Sequence, residues 1–82
     1  HQHFMLVENF TVTENIILGT EPTKLGVVNI KQASKDIKAL SEKYGLDIDP
    51  DAKIEDISVG MQQRVEILKM LVSYIKLLFY VI

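Results

Sequence analysis

The 82 residues predict an all-α fold, a small three-helix bundle, on two observations. Apolar residues recur at spacings of three and four in three separate stretches, and each stretch carries residues suited to starting or stopping a helix. The length and the 48% apolar content leave room for one thin core. One domain is therefore expected over 1–82, with a lead over 1–10, a helical core over 11–72 and an apolar tail over 73–82.

The first helix is expected over "TVTENIILG", residues 11–19. Thr11 and Glu14 stand at capping-box spacing, and Gly19 supplies a residue that tolerates the left-handed conformation where helices stop. Val12, Ile16 and Ile17 form its buried side. In "TEPTKLGVV", residues 20–28, Pro22 and Gly26 break the periodicity and predict a loop or a turn-rich hairpin.

A longer helix fits "NIKQASKDIKALSEKYG". Asn29 is its N-cap and Gly45 its stop, while Ile30, Ala33, Ile37, Leu40 and Tyr44 align as one apolar seam. Lys31, Lys35, Asp36, Lys38, Glu42 and Lys43 form an ordinary solvated face.

In "LDIDPDAKIEDI" the ring of Pro50 crowds the residue before it out of the helical region. Asp47, Asp49 and Asp51 alternate in the manner of a calcium-binding loop. Counted from Asp47, however, Ala52 stands where such a loop needs its glycine and Ser58 where it needs a bidentate glutamate, so a solvated turn is expected. His1 and His3 offer a His-x-His pair with no third ligand nearby, and no metal site is expected.

The third helix starts at or just after Ser58. Met61, Val65, Leu68 and Val72, with Leu71 beside them, make its buried stripe, and Gln62, Arg64, Glu66 and Lys69 mostly face away. Met5, Met61 and Met70 are expected as core filler. The tail "SYIKLLFYVI" either extends this helix or forms an orphan strand. With the apolar residues before it, it still carries Lys76 and falls short of the ~18 residues a membrane span needs. An exposed apolar segment of this size seeks a partner, and self-association is expected.

Nine basic and eleven acidic residues are interspersed, giving a net charge of −2. No basic stripe exists to track a nucleic-acid backbone, which excludes DNA or RNA binding. The absence of cysteine favours a reducing, intracellular setting. "HQHFMLVENF" lacks the pattern of a secretory signal.

The chemistry concentrates in "ISVGMQQRVEILKML", residues 57–71. A helix N-terminus gathers unpaired N–H groups and the positive end of the backbone dipole, and so holds an anion without a basic side chain. Gly60 lets an anion approach the backbone, and Ser58 adds a hydroxyl. The plainer reading is that Ser58 only caps the helix and Gly60 only permits a turn. Spacing leaves both open.

This stretch resembles the signature motif of ABC-transporter ATP-binding domains, LSGGQ followed by QQRV. Ile57 stands for the leucine, Ser58 and Gly60 match, and Gln63, Arg64 and Val65 continue the pattern. "QHFMLVENFTVTENIILG" likewise resembles the Q-loop and the TVxENI helix, with Gln2 at the Q-loop glutamine, so that 1–10 becomes a Q-loop-like lead. In this order the two stretches stand at the separation the family's helical subdomain needs, and the resemblance they bracket covers nearly everything from Gln2 to about Leu71. The wording "SVGMQQRVEILK" is most like the ATP-binding subunits of simple-sugar and nucleoside importers.

The resemblance implies that the chain is the helical subdomain of such a subunit, cytoplasmic and peripheral to the inner face of the membrane. In the parent, two cassettes close head to tail around ATP. Ser58, Val59, Gly60 and Met61 would meet the γ-phosphate held by the second cassette, and Gln2 would lie near Mg²⁺ and the attacking water. Phe4, Met5 and Leu6 would face a helix of the transmembrane permease, unless they simply pack into the core.

Two departures count. Val59 and Met61 replace the first glycine and the glutamine of LSGGQ, which implies weaker phosphate contacts. The family's Walker B strand falls near 77–82, where "LLFYVI" puts Val81 and Ile82 at the places of the aspartate and the catalytic glutamate. No Gly-rich phosphate loop with its lysine stands in these residues either. Hence no catalytic residue and no cofactor is expected of the chain alone, which should be inert as an ATPase, with ATP and Mg²⁺ belonging to the full-length parent. The rival reading is a stand-alone helical interaction module that binds a partner helix through the 30/33/37/40/44 seam.

Overall fold

The computed structural model of the chain describes residues 6–20 and 29–81. Its helices are α1 (Val12–Thr20), α2 (Ile30–Lys43) and α3 (Val59–Val81), with a single 3₁₀ turn at Ile54–Asp56 between α2 and α3. No strand occurs among the described residues, and the all-α expectation holds. The loop or hairpin expected over 21–28 lies outside the described residues, as do His1, Gln2, His3, Phe4 and Met5.

The start of α1 is the capping box its sequence predicts. The Glu14 N–H donates to Thr11 Oγ1 at 3.1 Å while the Thr11 N–H donates to Glu14 Oε1 at 2.8 Å, so two donors without helical partners satisfy each other's side chains. The next two are taken by the chain that returns from α2. Val12 N–H donates to Ala52 O at 2.9 Å and Thr13 N–H to Pro50 O at 3.0 Å. Thr11 and Lys53 also form an antiparallel bridge. The N-terminus of α1 is thus closed from within the molecule.

Gly19 does not end α1. The helix continues to Thr20, and among the described glycines only Gly45 has a positive φ, +67°. Gly19 is instead a point of close approach. A Cβ placed there would lie 2.8 Å from Lys69 Cδ, so the missing side chain makes room for the lysine stem on α3.

α2 begins and ends as expected. Asn29 Oδ1 accepts the Gln32 N–H at 3.1 Å. At the other end Gly45 takes the left-handed conformation, its N–H donating to Glu42 O at 3.2 Å and that of Leu46 to Ser41 O at 2.9 Å, the paired bonds of a Schellman stop. The buried stripe, however, is not the expected seam. Ile30 and Tyr44 are exposed, and the inner face runs through Ser34, Ile37 and Ser41 with Ala33 and Leu40 at its margin.

Hydrogen bonding explains the rotation. Ser34 donates its one proton to Asp51 Oδ1 at 2.7 Å. Thr13 Oγ1, 3.0 Å from both Ser34 Oγ and Pro50 O, is then the donor shared between them. Ser41 Oγ accepts the Ile48 N–H at 2.9 Å. Ser34 and Ser41 thus stitch α2 to α1 and to the following segment, and they can occupy the inner face because each buried hydroxyl finds partners there.

α1 packs against both α2 and α3. The core joins Val12, Ile16, Ile37, Ile48, Ile54, Val65 and Leu68, all nearly or fully buried, with Leu6, Leu40, Leu46, Ile57, Met61 and Val72 packed against it. The tail resolves in favour of helix, since α3 runs unbroken through Val81. No helix of the described residues is long and apolar enough to cross a membrane.

Candidate functional site

Ser58 stands directly before the first residue of α3. Its Oγ accepts the Met61 N–H at 3.1 Å and its carbonyl the Gln62 N–H at 2.9 Å, so the serine is a true N-cap. The N–H groups of Val59 and Gly60 keep no partner among the described residues, as the first turn of a helix dictates. Ser58, Val59 and Gly60 are all exposed. A Cβ at Gly60 would meet nothing closer than Ser58 Oγ at 4.0 Å, so the backbone there borders open space. The turn thus offers two free amide donors, one hydroxyl and the positive end of a helix dipole on an accessible surface, a set of groups suited to an anion.

The turn is held from beneath by Gln62. Its Nε2 donates to Ile54 O at 3.1 Å and more weakly to Ile57 O at 3.4 Å, tying the first turn of α3 to the 3₁₀ turn. The periodicity placed Gln62 on the outer face; it is half-buried, its amide turned in toward those two carbonyls. Met61 is half-buried against the core while its backbone sits in the turn. Arg64 is exposed, with Nη1 on Leu46 O at 2.9 Å. Glu66 and Lys69 are not free surface residues either: they pair at 3.6 Å with side chains only 16% and 19% exposed.

Of the residues expected to face a partner, Leu6 is half-buried and packs against the core. Gln2, Phe4 and Met5 lie outside the described residues. Met70, expected as core filler, is 67% exposed. Asp49 and Asp51 serve the turn that joins α2 to the 3₁₀ segment: Asp49 Oδ1 accepts the Asp51 N–H at 3.0 Å, and Asp51 Oδ1 accepts the Ser34 hydroxyl. Among the described residues no group of three or more histidines, cysteines or acids gathers to hold a metal.

One residue of consequence escaped the sequence reading. Asn15, buried to 3% exposure, accepts the Val7 N–H on Oδ1 at 2.6 Å and donates from Nδ2 to Val7 O at 3.1 Å and Thr11 O at 2.9 Å. Both amide protons and the carbonyl are used, which fixes the side chain's orientation. The signal was present. A polar residue next to Ile16 and three places after Val12 lies on the apolar face of α1, where it must find partners.

The sequence profile of the ABC transporter family matches residues 1–80. The chain is 62% identical over 71 residues to the guanosine import ATP-binding protein NupO of Bacillus subtilis (strain 168), covering 87% of this chain and 14% of that protein. It is 68% identical over 71 residues to the nucleoside import ATP-binding protein NupA of Lactococcus lactis subsp. cremoris (strain MG1363), with the same coverage of 87% and 14%. To the xylose import ATP-binding protein XylG of Histophilus somni (strain 129Pt) it is 42% identical over 78 residues, or 95% of this chain and 16% of that one. The chain therefore spans only about a seventh of the length of these curated relatives. No solved structure matches it. With a profile match over nearly its whole length and a capped, glycine-bearing turn where the signature motif falls, the chain belongs to the ABC transporter family.

Proposed function

We propose that these residues are the helical subdomain of the ATP-binding subunit of an importer for nucleosides or simple sugars. In this reading Ser58, Val59, Gly60 and Met61 form the surface that receives the γ-phosphate of ATP presented by a second cassette, and Gln2 belongs to the side nearest Mg²⁺ and the attacking water. Phe4, Met5 and the exposed part of Leu6, whose remainder packs against the core, lie toward the permease, at the inner face of the membrane. The observation that carries the reading is the exposed start of α3, where the amides of Val59 and Gly60 are unpartnered and no side chain covers Gly60. Those groups fit a phosphate oxygen and fit a cation poorly, since they are donors.

The 82 residues taken alone are proposed to be inert, because Val81 and Ile82 stand where the family's metal-holding aspartate and general base would. Residues 2–71 exchanged into the guanosine importer's ATP-binding protein should support nucleotide hydrolysis, and Ser58→Arg in that chimaera should abolish it by blocking the approach of the second cassette. Full hydrolysis with Ser58→Arg would defeat the assignment. So would tight ATP binding by the isolated 82-residue chain.

Self-association through the tail, residues 73–82, is proposed as well. Tyr74 and Leu78 are 58% and 41% exposed and continue the apolar stripe of Ile67 and Met70 on the same helix, a surface that a second copy would cover. A sedimentation measurement showing only monomer at high concentration would count against it.

A further inference from the structure

Outside the signature turn, a series of hydrogen bonds joins the lead to the segment before α3. Asn15 grips both backbone groups of Val7, and Val7 O also accepts the Phe10 N–H at 3.1 Å. Phe10 O accepts the Ile54 N–H at 3.0 Å, and Glu8 O the Glu55 N–H at 3.0 Å. Ile54, 1% exposed, closes the chain, its carbonyl accepting the Ile57 N–H at 3.2 Å and Gln62 Nε2 at 3.1 Å. A continuous series of hydrogen bonds thus runs from Asn15 through the lead and the 3₁₀ turn into the first turn of α3.

We infer that residues 7–10 and 54–57 open and close as one cooperative unit, with Asn15 as the positioning residue that holds it shut. The physical reason is the sharing of acceptors. Val7 O and Ile54 O each serve two donors, so releasing the lead frees a backbone acceptor at Val7 and withdraws the acceptor of the Ile54 N–H, whose carbonyl is the anchor for Gln62. The unit has no helix of its own beyond the short 3₁₀ turn; Ile54 is its one fully buried side chain in the core, and segments with little apolar burial of their own open below the global free energy. The coupling is a property of this chain and does not rest on the function proposed above.

Amide hydrogen exchange on the 82-residue chain tests it without nucleotide or permease, so its outcome is independent of the nucleotide reading. With urea added below the unfolding range, the Val7, Ile54 and Glu55 amides should merge into one opening isotherm, separate from that of Val65 and Leu68. In Asn15→Leu, which removes all three side-chain hydrogen bonds of Asn15, the three amides should exchange faster by about tenfold or more, with Leu46 and Ile48 unchanged. Ile54 and Glu55 keeping their protection while Val7 loses it would overturn the inference. A uniform acceleration of every amide would do the same. Should Asn15→Leu fail to fold, the isotherms of the unaltered chain decide the matter, and separate isotherms for the three amides, or a single one shared with Val65 and Leu68, would overturn it.

Discussion

A Cβ on Gly19 would lie 2.8 Å from Lys69 Cδ and 3.3 Å from Lys69 Cε, so α1 and α3 approach each other across a position where a side chain is excluded by a lysine stem. Glycine inside a helix is otherwise a poor choice, costing about 1 kcal/mol relative to alanine. Gly19→Ala should therefore be close to neutral, the gain in helix propensity being offset by displacement of Lys69 from its place beside Glu66. In a Lys69→Ala background the same substitution should stabilise by about 1 kcal/mol. Urea unfolding of the four proteins in this cycle checks the difference; equal effects in both backgrounds would mean that the contact carries no energy.

Gly45, at φ +67°, ends α2 in open space, with no atom within 4 Å of a Cβ built upon it. The strain of a substitution there is thus purely conformational. Gly45→Ala should destabilise by about 1–2 kcal/mol, and Gly45→Asn should cost less, since asparagine visits the left-handed region more readily. Thermal unfolding ranks the three proteins, and an alanine variant as stable as the parent would contradict the left-handed stop.

Asn15→Asp is isosteric but points a carboxylate oxygen at Val7 O and Thr11 O, the two carbonyls that Nδ2 now serves. Burial and those carbonyls push the new carboxyl above its ordinary range, because both disfavour the charged form. The folded state then holds its proton more tightly than the unfolded one, so the stability difference from the parent should grow as pH rises from about 4 and level off above the folded-state value. At neutral pH the expected loss is about 1–3 kcal/mol. Urea unfolding of both proteins from acidic to neutral pH measures the difference, and a pH-independent gap would show that the side chain is solvated.

Sequence periodicity located the helices because each carries its own punctuation: Thr11 with Glu14, Asn29 with Gly45, and Ser58 all cap where their residue types say they should. What it could not see were choices settled between elements. The seam of α2 turned toward Ser34 and Ser41 because their partners, Thr13, Asp51 and Ile48, come from α1 and from the turn after α2. Gln62 turned inward for the carbonyls of Ile54 and Ile57, and Gly19 proved to be a spacer rather than a stop. The candidate site was legible because a cap and a glycine at a helix start are local features. Asn15 was missed because its partner Val7 lies in a segment with no periodicity of its own.

The two roles available to Ser58 make separable demands on its side chain, and this separates them by experiment. As an N-cap its hydroxyl accepts the Met61 N–H, a role whose loss costs about 1 kcal/mol with alanine but only a few tenths with glycine, which also suits the N-cap backbone. As a donor to phosphate the hydroxyl is missing from both variants. In the importer chimaera, Ser58→Gly should leave thermal stability within a few tenths of a kcal/mol of the parent while lowering hydrolysis about tenfold or more, the loss of one hydrogen bond to a charged group. Ser58→Thr, which keeps the hydroxyl, should retain most of the activity. If Ser58→Gly hydrolyses ATP as fast as the parent, the serine is a cap alone, and any grip on phosphate falls to the amides of Val59 and Gly60.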